Sequence, residues 1–224
     1  MLPVLYSFVR CPYAMRARMA LLYASIKVEL REVLLKDKPP SMLLASPKGT
    51  VPVLLLPDGG VLDQSVDIMH WALSVRDPAG WRTEALAEPR AALIQQNDEQ
   101  FKTHLDHYKY WERFPAESQG FYREQGEQFL ARLEAQLSSQ RYLLAEQVTL
   151  ADIALFPFIR QFAFVDKLWF DQCGYPALQQ WLQMMCLPSH VLSWSLMLST
   201  APSCSSMDAT RLRMVVEPAR HGMS

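Results

Sequence analysis

The chain has 224 residues, of which half are hydrophobic and a fifth are charged, and its formal net charge at pH 7 is −1. This balance excludes a disordered tail, and the lack of a basic excess argues against a nucleic-acid partner. No stretch approaches the ~18 consecutive apolar residues of a spanning helix, and Arg10 interrupts the apolar start before a signal-peptide core forms. We therefore expect a globular, cytoplasmic protein without a membrane partner.

The cysteines are few and lie far apart, at positions 11, 173, 186 and 204. No Cys-x-x-Cys pair is present, so a zinc ribbon is not expected and the thiols are predicted to be reduced. His104 and His107 share a helical face but lack a third ligand at suitable spacing. The sequence therefore predicts no metal site.

The first 77 residues alternate strand and helix patterns. Residues 3–9 form an apolar run typical of a buried strand, and Pro12 suits the first turn of the helix that follows. Further elements are predicted as a strand at 28–34, a short helix at 41–45, strands at 53–56 and 61–63, and a helix at 65–76. The order β-α-β-α-β-β-α predicts a small α/β domain whose last two strands form a hairpin.

The rest of the chain carries helical patterns, at 89–112, 121–138, 149–164 and 176–187. The fold class expected is therefore α/β plus all-α. We predict an α/β domain over 1–77, a linker over 78–88, an all-helical domain over 89–200 and an irregular tail over 201–224.

Cys11 is the sharpest chemical feature, because it lies between a predicted strand and a helix that opens with Pro12. Unpaired N–H groups at a helix N-terminus favour a thiolate, and Arg10 and Arg16 are predicted to add positive charge nearby. A buried, inert cysteine is the bland alternative, which this placement disfavours. Ala14 stands where a dithiol site would carry its second cysteine, so Cys11 has no local resolving partner.

Two further junctions, at the start of a predicted strand and at the start of a predicted helix, could contribute to a binding site. Pro52 opens a predicted buried strand, where either a trans proline at a strand edge or a cis Val51–Pro52 bond is possible; residues alone favour the trans form. Ser65 is placed to cap the next helix, and the N–H groups there could hold a carboxylate.

Taken in order, the segments Cys-Pro-Tyr-Ala-x-Arg, Lys-Pro, Thr-Val-Pro-Val-Leu and Gln-Ser-x-x-Ile resemble a glutathione-binding thioredoxin fold. Over residues 3–187 the chain resembles a cytosolic glutathione S-transferase, closest to the cysteine-type branch with omega-class enzymes and two-domain glutaredoxins. The resemblance implies a thioredoxin-like domain, an all-helical bundle domain, glutathione as co-substrate and a homodimer.

The resemblance also implies roles for single residues. Cys11 matches the cysteine that forms a mixed disulfide with glutathione, and Pro52 matches the cis-proline. Glutathione-binding positions are matched by Tyr13 beside the nucleophile, Lys38 toward the glycyl carboxylate, Val51 along the cysteinyl backbone, and Gln64 with Ser65 at the γ-glutamyl end. Gln64 replaces the usual glutamate, so it can accept a bond from the ligand ammonium but carries no charge.

Three functions remain open on this basis. Cys11 favours thiol transfer or reduction through a glutathione mixed disulfide, acting on a small disulfide or electrophile. Conjugation of glutathione is the second reading, although Tyr6 and Ser7 lie too early in the strand to replace Cys11. A non-catalytic interaction protein is the third. The first long helix of this fold borders the second-substrate pocket, and Tyr108 is the residue predicted to line it.

Overall fold

The computed structural model describes residues 1–186 and 212–213, and the chain divides after Pro78 into two compact units. The N-terminal unit contains β1 (Val4–Ser7), α1 (Pro12–Tyr23), β2 (Glu29–Glu32), α2 (Pro40–Ala45), β3 (Val53–Leu55), β4 (Val61–Leu62) and α3 (Ser65–Val75). This order confirms the thioredoxin-like pattern expected from the sequence. Within the described part of the chain, no helix is long and apolar enough to cross a membrane.

One mixed sheet organises the N-terminal unit, in the strand order β4-β3-β1-β2, with a two-residue strand β5 (Leu212–Arg213) added at the β2 edge. β1 runs parallel to β2, and the other pairs are antiparallel. Residues 212–213 are all that the structure describes of the tail predicted to be irregular. The other residues of 201–224, and residues 187–200 of the predicted helical domain, lie outside the described part.

Alternation of side chains along β1 and β3 builds the core around this sheet. Tyr6 and Val53 pair across the strands and pack with Val33 and Met42 in one buried cluster. Leu5 and Leu54, the next pair along, point to the opposite face and have no exposed surface. Helices α1 and α3 pack against each other. Both faces of the sheet are therefore covered, which fixes the end of β1 from which Cys11 follows.

The C-terminal unit is helical throughout its described residues. It contains α4 (Ala87–Gln96), α5 (Lys102–Lys109), α6 (Gln119–Leu137), α7 (Leu150–Ala163), α8 (Lys167–Gln172) and α9 (Pro176–Cys186). Short 3₁₀ turns lie at Glu84–Leu86 and Trp111–Arg113. Helix α7 is almost entirely buried and forms the centre of the unit.

Asp152 fixes the start of this central helix. Its carboxylate accepts hydrogen bonds from the Thr149 backbone and hydroxyl at 2.8 and 2.7 Å, which completes a capping box. It also accepts from the Leu143 backbone and from Trp181 Nε1, both at 2.9 Å. Burial raises the pKa of Asp152, and these four donors act against that rise. The role of Asp152 is therefore structural.

One helix differs from its sequence pattern. The helix predicted over 89–112 is two helices, α4 and α5, joined by a π-helical turn at Asn97–Phe101. A π turn places an extra residue in the helix and rotates the residues after it, so a single periodic stripe cannot describe both halves. Helix α8 is absent from the elements predicted from the sequence.

Candidate active site

Cys11 lies at the N-terminus of α1, as its position between strand and helix predicts. It is the N-cap residue, with extended backbone angles, and its N–H donates to the carbonyl of Phe8 at 3.0 Å. Its side chain is partly exposed, and the thiol is free. Pro12 follows at the first helical position, where its missing N–H costs no hydrogen bond. A partly exposed sulfur at a helix start is accessible to a substrate.

The loop that precedes β3 contacts this sulfur through Val51. Cys11 Sγ donates to the backbone carbonyl of Val51 at 3.7 Å, although 40 residues separate them along the chain. The Val51–Pro52 peptide bond is cis, as the resemblance implied and residues alone did not favour. Pro52 is buried while Val51 is half-buried and packs at the edge of the sheet core. The structure therefore brings together Cys11, Val51 and Pro52.

The start of α3 corrects one expectation from the sequence. Gln64, not Ser65, is the N-cap residue, and Gln64 is exposed. Ser65 is the first helical residue; its buried hydroxyl accepts a hydrogen bond from Arg16 Nε at 3.0 Å instead of capping the helix. As the first helical residue, Ser65 directs its hydroxyl to α1 and makes no capping bond to its own helix. The buried guanidinium of Arg16 therefore lies next to the first residue of α3.

Arg16 links two of the predicted site residues. Its guanidinium is 1% exposed and lies over the Tyr13 ring, 5.1 Å from the ring centroid, while it donates to Ser65. A guanidinium can stack on an aromatic face and donate in its own plane at the same time. Arg16 is therefore directed to Tyr13 and Ser65. Arg10, the other cation expected to serve Cys11, is exposed and lies 5.6 Å from the Phe8 ring centroid.

Lys38 approaches the loop that leads to Val51. A Cβ placed on Gly49 would lie 3.6 Å from Lys38 Nζ and 3.3 Å from Leu43 Cδ2. Gly49 also has a φ of +64°, so this position favours glycine for its backbone, and an added Cβ would in addition crowd Leu43. The ammonium of Lys38 therefore lies near Gly49, which precedes Val51 by two residues.

Sequence reasoning missed Arg18, which holds the residues immediately before Cys11. Its guanidinium is 4% exposed and donates to Ser7 Oγ, to the Phe8 carbonyl at 3.3 Å and to the Val9 carbonyl at 3.0 Å. Spacing could have found it, because Arg18 follows Cys11 by seven residues, two helical turns, and so shares its helix face. Glu32, at the end of β2, accepts from the Val9 N–H and was likewise missed.

Tyr108 belongs to the C-terminal unit and is 2% exposed. Its ring packs 4.8 Å from that of Phe162, and its hydroxyl has no hydrogen-bond partner among the residues described here. Burial, with Asp166 nearby, raises the pKa of Tyr108 to about 12, so the hydroxyl keeps its proton at neutral pH. It is a buried donor whose bonding capacity is unused.

His104 and His107 both lie in the C-terminal unit. The His107 ring packs 4.0 Å from Phe114 and 5.0 Å from Tyr122, and burial lowers the pKa of His104. Across the described positions, no group of three or more His, Cys, Asp or Glu side chains is arranged to hold a metal ion.

The N-terminal unit is thioredoxin-like and carries a cysteine after β1 and a cis-proline before β3, and a helical unit follows it along the chain. Comparison with known protein families identifies the class of protein that has this arrangement. Residues 5–79 match the family profile of the glutathione S-transferase N-terminal domain, and residues 84–183 match that of the C-terminal domain. The two matches cover well over half of the chain, which therefore belongs to the glutathione S-transferase family. No curated protein sequence matches the chain.

Solved structures agree with this assignment. A possible glutathione S-transferase from Rhodopseudomonas palustris is 25% identical, with a TM-score of 0.70, covering 84% of this chain and 88% of that one. A family member from Pseudomonas fluorescens with two glutathione molecules bound is 17% identical, with a TM-score of 0.73 and coverages of 85% and 91%. Glutathione transferase Omega 3C from Trametes versicolor is 21% identical, with a TM-score of 0.69 and coverages of 86% and 83%. The last two likenesses concern the fold alone.

Proposed function

We propose that the protein is a cysteine-type glutathione transferase that reduces mixed disulfides through a Cys11–glutathione disulfide. The observation that carries the proposal is the thiol of Cys11, partly exposed at the N-terminus of α1 and 3.7 Å from the Val51 carbonyl. A thiolate at a helix start is the nucleophile that thiol–disulfide exchange requires.

The reaction takes two exchange steps. In the first, the Cys11 thiolate attacks the glutathione sulfur of a substrate disulfide; a Cys11–glutathione disulfide forms and the substrate leaves as a thiolate. In the second, free glutathione attacks as a thiolate the glutathione sulfur of that adduct, which gives oxidised glutathione and returns Cys11 as a thiolate. Glutathione is thus the reductant, and a second cysteine is not needed, consistent with Ala14 three residues after Cys11.

Glutathione would lie along the groups already described. The Val51 backbone would pair with its cysteinyl part, and Lys38 would meet the glycyl carboxylate. The start of α3 would take the γ-glutamyl carboxylate, because the backbone N–H groups at a helix N-terminus and the buried charge of Arg16 behind Ser65 both favour an anion there. The exposed Gln64 side chain would accept from the γ-glutamyl ammonium, and Tyr13 would flank the sulfur.

The side chains at the end of β1 favour this reaction over conjugation. Conjugation needs a hydroxyl that can donate to the sulfur of glutathione itself. Tyr6 has no exposed surface; its hydroxyl is 2.8 Å from Ser41 Oγ and accepts from Arg31 at 2.8 Å. The Ser7 hydroxyl is buried and accepts from Arg18. Both hydroxyls are committed inside the fold, which leaves Cys11 as the reactive group.

We further propose that Tyr108 contacts the second substrate, a small disulfide or electrophile. Its protonated hydroxyl lacks a partner in the described residues, and buried donors in native proteins are normally satisfied. A substrate acceptor would supply the missing bond. The protein is proposed to act in the cytoplasm, where glutathione and reduced thiols coexist.

The decisive experiment replaces Cys11 with Ser and, as the matched control, the exposed Cys186 with Ser. Both proteins are assayed with a hydroxyethyl–glutathione mixed disulfide, with dehydroascorbate and with a halonitroarene. Cys11→Ser should abolish reduction of the first two substrates while the protein still binds immobilised glutathione, and Cys186→Ser should retain the parental rates. Parental mixed-disulfide reduction by Cys11→Ser would overturn the proposal. Absence of glutathione binding by the parental protein would favour an interaction role.

A further inference from the structure

The segment that joins β1 to Cys11 is held by one buried side chain. Arg18 donates to three successive residues, at the Ser7 hydroxyl and at the carbonyls of Phe8 and Val9. The carbonyl of Phe8 also accepts the N–H of Cys11. One guanidinium therefore fixes the residues immediately before the nucleophile, and it does so from α1, the helix that Cys11 begins.

Glu32 completes this arrangement from the neighbouring strand. Its carboxylate accepts from the N–H of Val9, whose carbonyl accepts from Arg18. The pKa of Glu32 is raised, chiefly because protein atoms exclude water from the carboxylate; the Val9 N–H and the charge of Arg18 oppose the rise. Val9 is thus held on both sides, by a cation and by an anion.

The geometry also places the charge of Arg18 close to Cys11. The Phe8 carbonyl accepts from the Arg18 guanidinium at 3.3 Å and from the Cys11 N–H at 3.0 Å, so the guanidinium lies beside the residue that begins α1. Burial lowers the pKa of Arg18, and the negative charges of Glu32 and Cys11 oppose that fall. A positive charge at this position attracts a negative charge on the sulfur. Arg10 and Arg16, the other cations near Cys11 in sequence, are directed to Phe8 and to Ser65 with Tyr13.

We propose that Arg18 is a positioning residue for the Cys11 chemistry: it fixes the β1–α1 segment and supplies the buried positive charge that favours the Cys11 thiolate, with Glu32 moderating that charge. The proposal rests on the proposed function, in which Cys11 is the nucleophile. It assigns opposite electrostatic effects to Arg18 and Glu32, although both hold the same segment.

The test follows alkylation of Cys11 by iodoacetamide in the full-length protein between pH 5 and pH 10, read by mass spectrometry of the peptide that contains Cys11. The variants are Arg18→Met, Arg18→Lys and Glu32→Gln. The control is Arg90→Met, which removes a buried arginine of the C-terminal unit that donates to the Thr83 carbonyl. Circular dichroism establishes that each variant is folded.

Arg18→Met should slow alkylation at pH 7 about tenfold and approach the parental rate at pH 10, where the thiol ionises without help. Arg18→Lys should recover most of the rate at pH 7, because it restores the charge. Glu32→Gln keeps an acceptor for Val9 but removes the opposing charge, so alkylation at pH 7 should become faster. Arg90→Met should leave the profile unchanged.

A purely structural role predicts a different pattern. Equal slowing at all pH values in the Arg18 variants, or slowing in Glu32→Gln, would overturn the proposal. If Arg18→Met does not fold, the Arg18→Lys and Glu32→Gln profiles still decide it. Mixed-disulfide reduction is measured separately on the same proteins. If the parental protein alkylates as expected but reduces no disulfide, the proposed function fails while the effect of Arg18 on the thiolate stands.

Discussion

Buried arginines supply much of the polar structure around Cys11. Arg16 and Arg18 are 1% and 4% exposed, yet each donates to groups that belong to other elements. A guanidinium carries five N–H donors in a fixed plane, so it can replace its lost hydration with several protein acceptors. The two side chains connect α1 to the start of α3 and to the end of β1, the segments on which the proposed site is built.

Tyr108 provides a prediction at the scale of one hydroxyl. Tyr108→Phe removes a buried donor without a partner in the described chain, so the free energy of unfolding should rise by about 1 kcal/mol. Tyr122→Phe is the matched control, because its hydroxyl donates to the Phe114 carbonyl at 2.9 Å and its loss should lower that free energy by about 1 kcal/mol. Urea denaturation measures both. A loss of stability in Tyr108→Phe would contradict an unsatisfied hydroxyl.

The features of the candidate site that the structure confirms are the position of Cys11 at a helix start and the cis bond before Pro52. Cys11 was recognisable from the proline that follows it, and the cis bond before Pro52 followed from the family resemblance. Spacing places Arg18 on the helix face of Cys11, but a charged residue in a helix or at a strand end is usually solvated, so neither Arg18 nor Glu32 was predicted to hold this segment. The burial of Arg18 and the contact of the exposed Glu32 with Val9 depend on how β1, β2 and α1 meet, which periodicity does not reveal.

At the scale of elements, α6 and α7 approach closely at Gly126. A Cβ at this position would lie 2.5 Å from Cε2 of Phe162, whose ring is buried beside Phe101 and Tyr108. The ring has little room to move, so the approach of the two helices requires glycine. The same helix contains Gly120, where the nearest atom to an added Cβ is the Ser118 hydroxyl at 3.8 Å.

These two glycines define a matched test. Gly126→Ala should lower the free energy of unfolding by about 2 kcal/mol through overpacking. Gly120→Ala should be neutral or raise that free energy by up to about 1 kcal/mol, because alanine is the better helix former and finds space. Thermal and urea unfolding of the two variants check the difference. Equal stability of both variants would mean that the Phe162 ring moves aside without cost and that position 126 does not require glycine.

Element types were easier to predict than element ends and breaks. Strand alternation and the apolar stripes of α1 and α7 report burial directly, so these elements lie where the sequence indicated. The π turn at Asn97–Phe101 was hidden, because its residues are ordinary helix formers and the extra residue is imposed by packing. Asn97 has no exposed surface, an unusual place for an amide, and only the fold explains its position.

For the whole molecule, the two-part architecture followed from a change of hydrophobic period near Asp77-Pro78-Ala79-Gly80. Before it, strand and helix patterns alternate, and after it only helical patterns occur. This contrast predicts fold class without any knowledge of contacts. The second substrate could not be predicted in the same way, because pocket shape depends on side chains whose spacing satisfies core packing equally well, as at Tyr108.

The family resemblance also predicts a twofold homodimer in which the N-terminal unit of one chain meets the helical unit of its partner. A stable interface of this kind buries about 800 Å² on each partner, and the net charge of −1 gives little long-range repulsion against association. Sedimentation equilibrium at micromolar concentration should therefore give about twice the 25.7 kDa of the chain. The apparent mass should fall on dilution only at concentrations well below those of the assay, because loss of a partner exposes apolar area. A single species of 25.7 kDa across the whole concentration range would contradict the predicted dimer.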